Sequence, residues 1–102
     1  MEEQSKLYMI EFDLPPVFTE EFEELIPEQR YVMDQMMDEG ILKSFTLSMD
    51  RTRFWTVMEA EDEGQVHERL SRFPLLDYLG QPTVCELMFH NHSAMLQQFS
   101  LN

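Results

Sequence analysis

The chain has 102 residues, twenty of them acidic against seven lysines and arginines, for a formal net charge of −13. This length suits one domain with its own core, and an apolar content of 43% is too high for a disordered chain. So negative a surface repels nucleic-acid phosphates and anionic membranes, so neither is expected as a partner.

The one cysteine, Cys85, excludes an internal disulfide and fits a reducing compartment. Apolar runs are only a few residues long, too short to span a bilayer. The opening MEEQSKLYMI lacks the basic head and apolar body of a secretory signal. The expectation is a soluble cytoplasmic protein, one domain over residues 1–102, with 1–5 and 93–102 as tails.

In chain order, KLYMIEFDL at 6–14 alternates and reads as a strand with Tyr8, Ile10, Phe12 and Leu14 on one face. Pro15 and Pro16 end it, because proline cannot donate to a sheet ladder. Thr19 is an N-cap for a first helix whose opening turn carries Glu20, Glu21 and Glu23. Phe22, Leu25, Ile26, Gln29, Met33, Met36 and Met37 follow at helical spacing, and Gly40 suits a left-handed C-cap. Pro27 predicts a kink or restart inside this helix. Residues 41–49 and 52–60 form a hairpin about Asp50 and Arg51, pairing Met49 with Thr52 and Leu47 with Phe54. Its apolar face carries Phe45, Leu47, Met49, Phe54, Thr56 and Met58. Asp62 caps a second helix, with Gln65 at the capping-box position and Val66, Leu70 and Phe73 as its stripe. In the last strand, TVCELMFH at 83–90, Cys85, Leu87 and Phe89 are expected toward the core, with Cys85 buried and inert. Val84, Glu86, Met88 and His90 then face the other way.

The order strand, helix, strand, strand, helix, strand is that of a ferredoxin-like α+β fold: a four-stranded antiparallel sheet with both helices on one face. The other face mixes Met9, Trp55, Val57 and Met88 with Glu11, Arg53 and Glu86. Such a face is expected to be covered by a second copy of the chain, with room for a small-molecule ligand between the two sheets.

One segment fits no regular element. RFPLLDYLGQP, residues 72–82, is too apolar for a free loop and too broken by proline for a helix or strand. Together with LPP at 14–16 and DEG at 38–40, FPLLDYL at 73–79 resembles the muconolactone delta-isomerase family over residues 6–92. The order of elements is similar to the wider dimeric α+β barrel superfamily, YciI-like proteins included. The resemblance implies a homodimeric or larger barrel, with FPLLDYL, including Tyr78, packed at the barrel rim near the pocket. It further implies cofactor-free proton transfer between carbons of a carboxylated unsaturated lactone. The family's acid/base glutamate of the first helix aligns with Gln29, which cannot accept that proton, and Glu28 stands beside it.

The residues themselves offer these candidates. Glu11 and Glu86, on neighbouring strands, are expected to face one another and push one pKa upward, as suits a base; the alternative is a wet acidic pair at a sheet end. Arg53 suits a ligand carboxylate, unless an ion pair with Glu59, Asp50 or a partner chain engages it. Trp55 supplies an aromatic wall or a dimer contact. In HNH, residues 90–92, His90 and His92 with Glu86 have a spacing that can bind a metal, but near a chain end they read better as solvated or pocket-edge groups, and no metal is expected. His67 reads as surface. The catalytic candidates are thus Glu11, Glu28, Glu86 and His90, and the ligand-binding candidates are Arg53, Trp55, Gln29 and Tyr78. Two activities compete: a cofactor-free isomerase, and a non-catalytic small-molecule-binding or structural homo-oligomeric barrel.

Overall fold

Alternation in KLYMIEFD builds β1, Lys6–Asp13, whose Tyr8, Ile10 and Phe12 are buried. A computed structural model describes residues 5–91. After β1 come α1 (Glu20–Asp38), β2 (Leu42–Leu47), β3 (Arg53–Ala60), α2 (Glu63–Leu70), a short 3-10 turn at Leu76–Tyr78, and β4 (Thr83–Leu87). The sheet is antiparallel in the order β2-β3-β1-β4, which is the ferredoxin-like arrangement. Met33 and Met36 of α1 and Val66 and Leu70 of α2 join Tyr8, Ile10, Phe12 and Met58 in one core, so both helices cover the same sheet face.

The helix ends follow local chemistry. The Thr19 hydroxyl accepts from the Phe22 N–H at 3.2 Å. At the other end the Gly40 N–H donates to Met37 and the Ile41 N–H to Met36, with Gly40 at φ +80°. This pair of bonds ends a helix on a residue in the left-handed region, where a side chain is strained. In α2 the Asp62 carboxylate accepts from the Gln65 N–H at 2.8 Å, and the Gln65 side-chain oxygen accepts from the Glu61 N–H at 2.8 Å.

Two expectations need correction and one is narrowed. Of the kink or restart expected at Pro27, the restart does not occur: helix α1 runs through Pro27 as one element. Pro27 and Glu23, whose carbonyl loses its partner, are both exposed, so water can satisfy that carbonyl. Met49 does not join the core face; the register does pair Leu47 with Phe54, but the strands stop there and Met49 is exposed in the turn. The faces of β4 are inverted. Tyr8 lies opposite Glu86 and Ile10 opposite Val84, so Val84 and Glu86 stand on the helix side of the sheet. Cys85, opposite Met9, stands on the open side and is exposed, and Phe89 lies beyond the strand, also exposed. His92 lies outside the described residues.

The hairpin tip is organised by one carboxylate. Asp50 accepts from the Thr52 hydroxyl at 2.7 Å, the Ser48 hydroxyl at 2.8 Å and the Thr52 N–H at 3.1 Å. Arg51 follows in the left-handed region at φ +63°. The Thr52 hydroxyl bond, then the Ser48 hydroxyl bond and the Thr52 N–H bond, hold the Asp50 carboxyl below its ordinary pKa. A lowered carboxyl pKa stabilises the folded tip above the unfolded value, near pH 4, and that contribution disappears as pH falls through the lowered value. In an NMR pH titration the Thr52 amide resonance should therefore move only in acid, below about pH 4. In Asp50→Ala that acid-range movement should be lost.

Candidate functional site

Helical spacing places Phe22, Ile26, Gln29, Arg30 and Met33 of α1 along one flank of a cleft of about 350 Å³. The β2–β3 hairpin adds Phe45, Leu47 and Phe54, the connection after β1 adds Leu14 and Phe18, and the 73–79 segment adds Leu75 and Leu79. The volume lies at the small end of ligand pockets. Its walls are aliphatic and aromatic, with Phe18 stacked at 4.4 Å from Phe22. Among the described residues lining it, only Gln29 and Arg30 carry polar side chains; none carries a carboxylate, imidazole or thiol.

Gln29 is 6% exposed, and its Oε1 accepts from the Leu75 N–H at 3.0 Å. That bond explains the segment that fits no regular element. Phe73 and Leu75 turn into the core, Phe73 lying 6.2 Å from Phe12. The Tyr78 ring meets Phe22 edge-on at 6.1 Å, and the Gly80 N–H donates to the Asp13 carbonyl. The segment is thus one wall of the cleft, tied to α1 and β1.

Arg30 stands at the exposed edge, its guanidinium 5.5 Å from the Phe45 ring centre and 3.5 Å from Asp34. Its position on the ring's face is a cation–π contact that keeps the charge at the mouth. Sequence reasoning missed Arg30. The available signal was its place one residue after Gln29 and four after Ile26 on the apolar flank of α1, in a chain with few cations.

A different constellation occupies the open sheet face. Arg53 donates to Glu11 at 2.6 Å and lies 3.5 Å from Asp13, its direct cross-strand partner. Trp55 is opposite Glu11 in the same register, half-buried. The expected ion pair at Arg53 thus exists, but with Glu11 and Asp13 in place of Glu59 or Asp50. Glu59 instead meets Lys43 at 3.0 Å.

The structure therefore separates the predicted residues. Glu11, Arg53 and Trp55 come together on the open face, while Gln29 lies in the cleft on the helix side, with Tyr78 against its wall. Glu86 is exposed on the helix side, so Glu11 and Glu86 do not face one another. Glu28 is exposed beside Gln29 but does not line the cleft. His90 follows β4, is partly buried, and does not line the cleft. Among the described residues no group of three His, Cys, Asp or Glu is placed to hold a metal ion, and no helix is long and apolar enough to cross a membrane.

The model of the muconolactone delta-isomerase family matches residues 7–93. The chain belongs to that family. A search of the curated proteins finds no match. The match spans β1 through β4, and so includes both constellations and the 73–79 wall.

If Gln29 ties the wall to α1, Gln29→Leu should cost about 1–3 kcal/mol in urea unfolding, because the buried Leu75 N–H loses its acceptor. Native-state hydrogen exchange at Leu75 should accelerate in that variant, while Ile10 amide exchange should track only the global loss.

Proposed function

We propose that this muconolactone-isomerase-family protein binds a small, mainly apolar compound bearing one carboxylate in the cleft between α1 and the sheet. The observation that carries the reading is an aromatic-lined cleft with a guanidinium, Arg30, at its mouth. A chain of net charge −13 repels anions at long range, so an anionic ligand needs such a local cation. The absence of a carboxylate or imidazole among the described lining residues favours binding over proton transfer in this cleft.

Isothermal calorimetry with a panel of butenolide carboxylic acids and their methyl esters tests the reading. The acids should bind more tightly than the esters, and Arg30→Ala should weaken the acids about tenfold, more at low salt, because Arg30 is solvent-exposed. Equal binding of acids and esters, unchanged by Arg30→Ala, would remove the anchor from the reading.

A second reading, cofactor-free isomerisation, is favoured by the Glu11–Arg53–Trp55 group: a carboxylate, a guanidinium and an aromatic wall on one sheet face. A face-to-face homodimer of the kind common to α+β barrels would enclose that group and exclude water from it. The reading expects a C–H proton of a carboxylated lactone to exchange with deuterated water, and Glu11→Gln to stop that exchange. No exchange on any member of the panel leaves the binding reading in place.

The dimer has its own test. Cys85 is exposed on the open face, so Cys85→Arg should leave the protomer folded. In a face-to-face dimer the same charge would be buried without a partner. Light scattering should then report a dimer for the native chain and a folded monomer for the variant. A native monomer would refute the assembly.

A further inference from the structure

We infer that the Phe18 ring is a partition that limits the length of ligand the cleft accepts, and that behind it lies a second subsite for an uncharged polar extension. The inference rests on the cleft being the binding site and adds the residue that selects among its ligands by length.

Two cavities meet at this ring. Phe18 and Leu14 line the cleft of about 350 Å³, and the same two residues line a neighbouring recess of about 310 Å³. The rest of the recess comes from Pro15 and Pro16, Glu23 in the first turn of α1, and Asp50, Arg51 and Thr52 of the hairpin tip. Of the two shared residues Leu14 is pinned, its N–H donating to the Thr52 carbonyl at 2.9 Å. Phe18 is held less firmly. The N–H groups of Val17 and Phe18 find no partner among the described residues, and Val17 is 71% exposed. The Phe18 ring is half-buried and rests on Phe22, which is itself fixed in the core. Phe18 is therefore the movable part of the divider.

Arg30 and Phe22 both lie on the cleft flank of α1, about 12 Å apart along its axis. A carboxylate held at Arg30 thus directs the rest of a long ligand along the apolar flank towards Phe22 and Phe18. An acid of one small ring ends short of that point. A longer one must lift the Phe18 ring from Phe22, at a cost of about tenfold in affinity. Past the ring the chemistry changes. Glu23 and Asp50 outnumber Arg51 in the recess, so it does not suit a second carboxylate. Asp50 is already committed to the Ser48 and Thr52 donors. The Arg51 side chain makes no hydrogen bond or ion pair with a described residue. A neutral hydroxyl oxygen accepting from that guanidinium fits the recess.

Calorimetry with phenylacetic acids carrying para-alkoxy chains of growing length, each ending in a hydroxyl, tests the inference. Wild-type affinity should fall at least about tenfold at the chain length that meets Phe18. In Phe18→Ala that fall should disappear, while the shortest acid binds much as before. Glu23 is exposed at the rim of the recess, so adding Glu23→Trp to Phe18→Ala should fill the recess and restore the limit. In Phe18→Ala the long acid ending in a hydroxyl should bind more tightly than its methyl-ended analogue, and Arg51→Ala should erase that difference. Arg30-dependent binding with no length limit overturns the partition and leaves the cleft reading standing, as does a limit that persists in Phe18→Ala. A limit that stays relieved with Glu23→Trp, or no preference for the hydroxyl, overturns the polar subsite. Binding of no member of the series overturns the cleft reading and the inference together. Should Phe18→Ala fail to fold, Phe18→Leu serves instead and should move the limit to a longer chain.

Discussion

A backbone N–H buried in an apolar segment needs an acceptor, and at Leu75 the acceptor comes from a side chain forty-six positions away, Gln29. The segment around it cannot pair as a strand, because Pro74 lacks a donor, and it is too short for a helix. Three other amides are satisfied locally, Leu76 donating to Phe73, Tyr78 to Leu75 and Leu79 to Leu76, while the Gly80 N–H donates across to Asp13. Leu75 alone among these reaches across to α1. With that bond made, Phe73 and Leu75 bury against the core, Leu79 lines the cleft, and α1 and the wall hold a gap between them. A leucine at position 29 would supply similar bulk without the acceptor, so the polar atom and not the volume joins the two sides.

The sheet divides the molecule's polar chemistry into two regions. On the helix side, an apolar cleft carries one carboxamide and one guanidinium. On the open side, Arg53 is engaged by Glu11 and Asp13 beside Trp55. The strong overall negative charge gives both guanidiniums their importance, since any anion must approach against it. The two differ in availability. Arg53 has two carboxylates within reach, whereas among the described residues Arg30 pairs only with the exposed, easily screened Asp34 one turn along its helix. A free ligand carboxylate competes more readily with the latter.

Much of the fold was legible because local rules were unambiguous. β1 alternates cleanly, Thr19 and Asp62 cap as their residue types suggest, Gly40 takes a positive φ, and the Leu47–Phe54 register follows from the hairpin. The site was less so. Gln29 was singled out as a substitution at an aligned position, but its bond to Leu75 is non-local and invisible in the sequence. Arg30 was passed over because a cation beside a polar residue on a helix ordinarily reads as solvated surface. Glu11 and Glu86 failed as a pair because β4 carries apolar residues on both phases, Val84 on one and Cys85 and Leu87 on the other. A slip of one position exchanges its faces.

The sequence by itself determined the order of elements, the face of β1 and β3 that meets the helices, the caps, and the family to which the chain belongs. These follow from periodicities of two and of 3.6 residues and from residue types at fixed offsets, all of which act within one element or one turn. Tertiary structure alone decided the phase of β4, the unbroken passage of α1 through Pro27, the engagement of Arg53, and the meeting of Gln29 with Leu75. Each depends on which backbone or side chain arrives from a distant part of the chain. Only the folded arrangement supplies that neighbour, and a buried donor, an unpaired charge or an edge strand is settled by it.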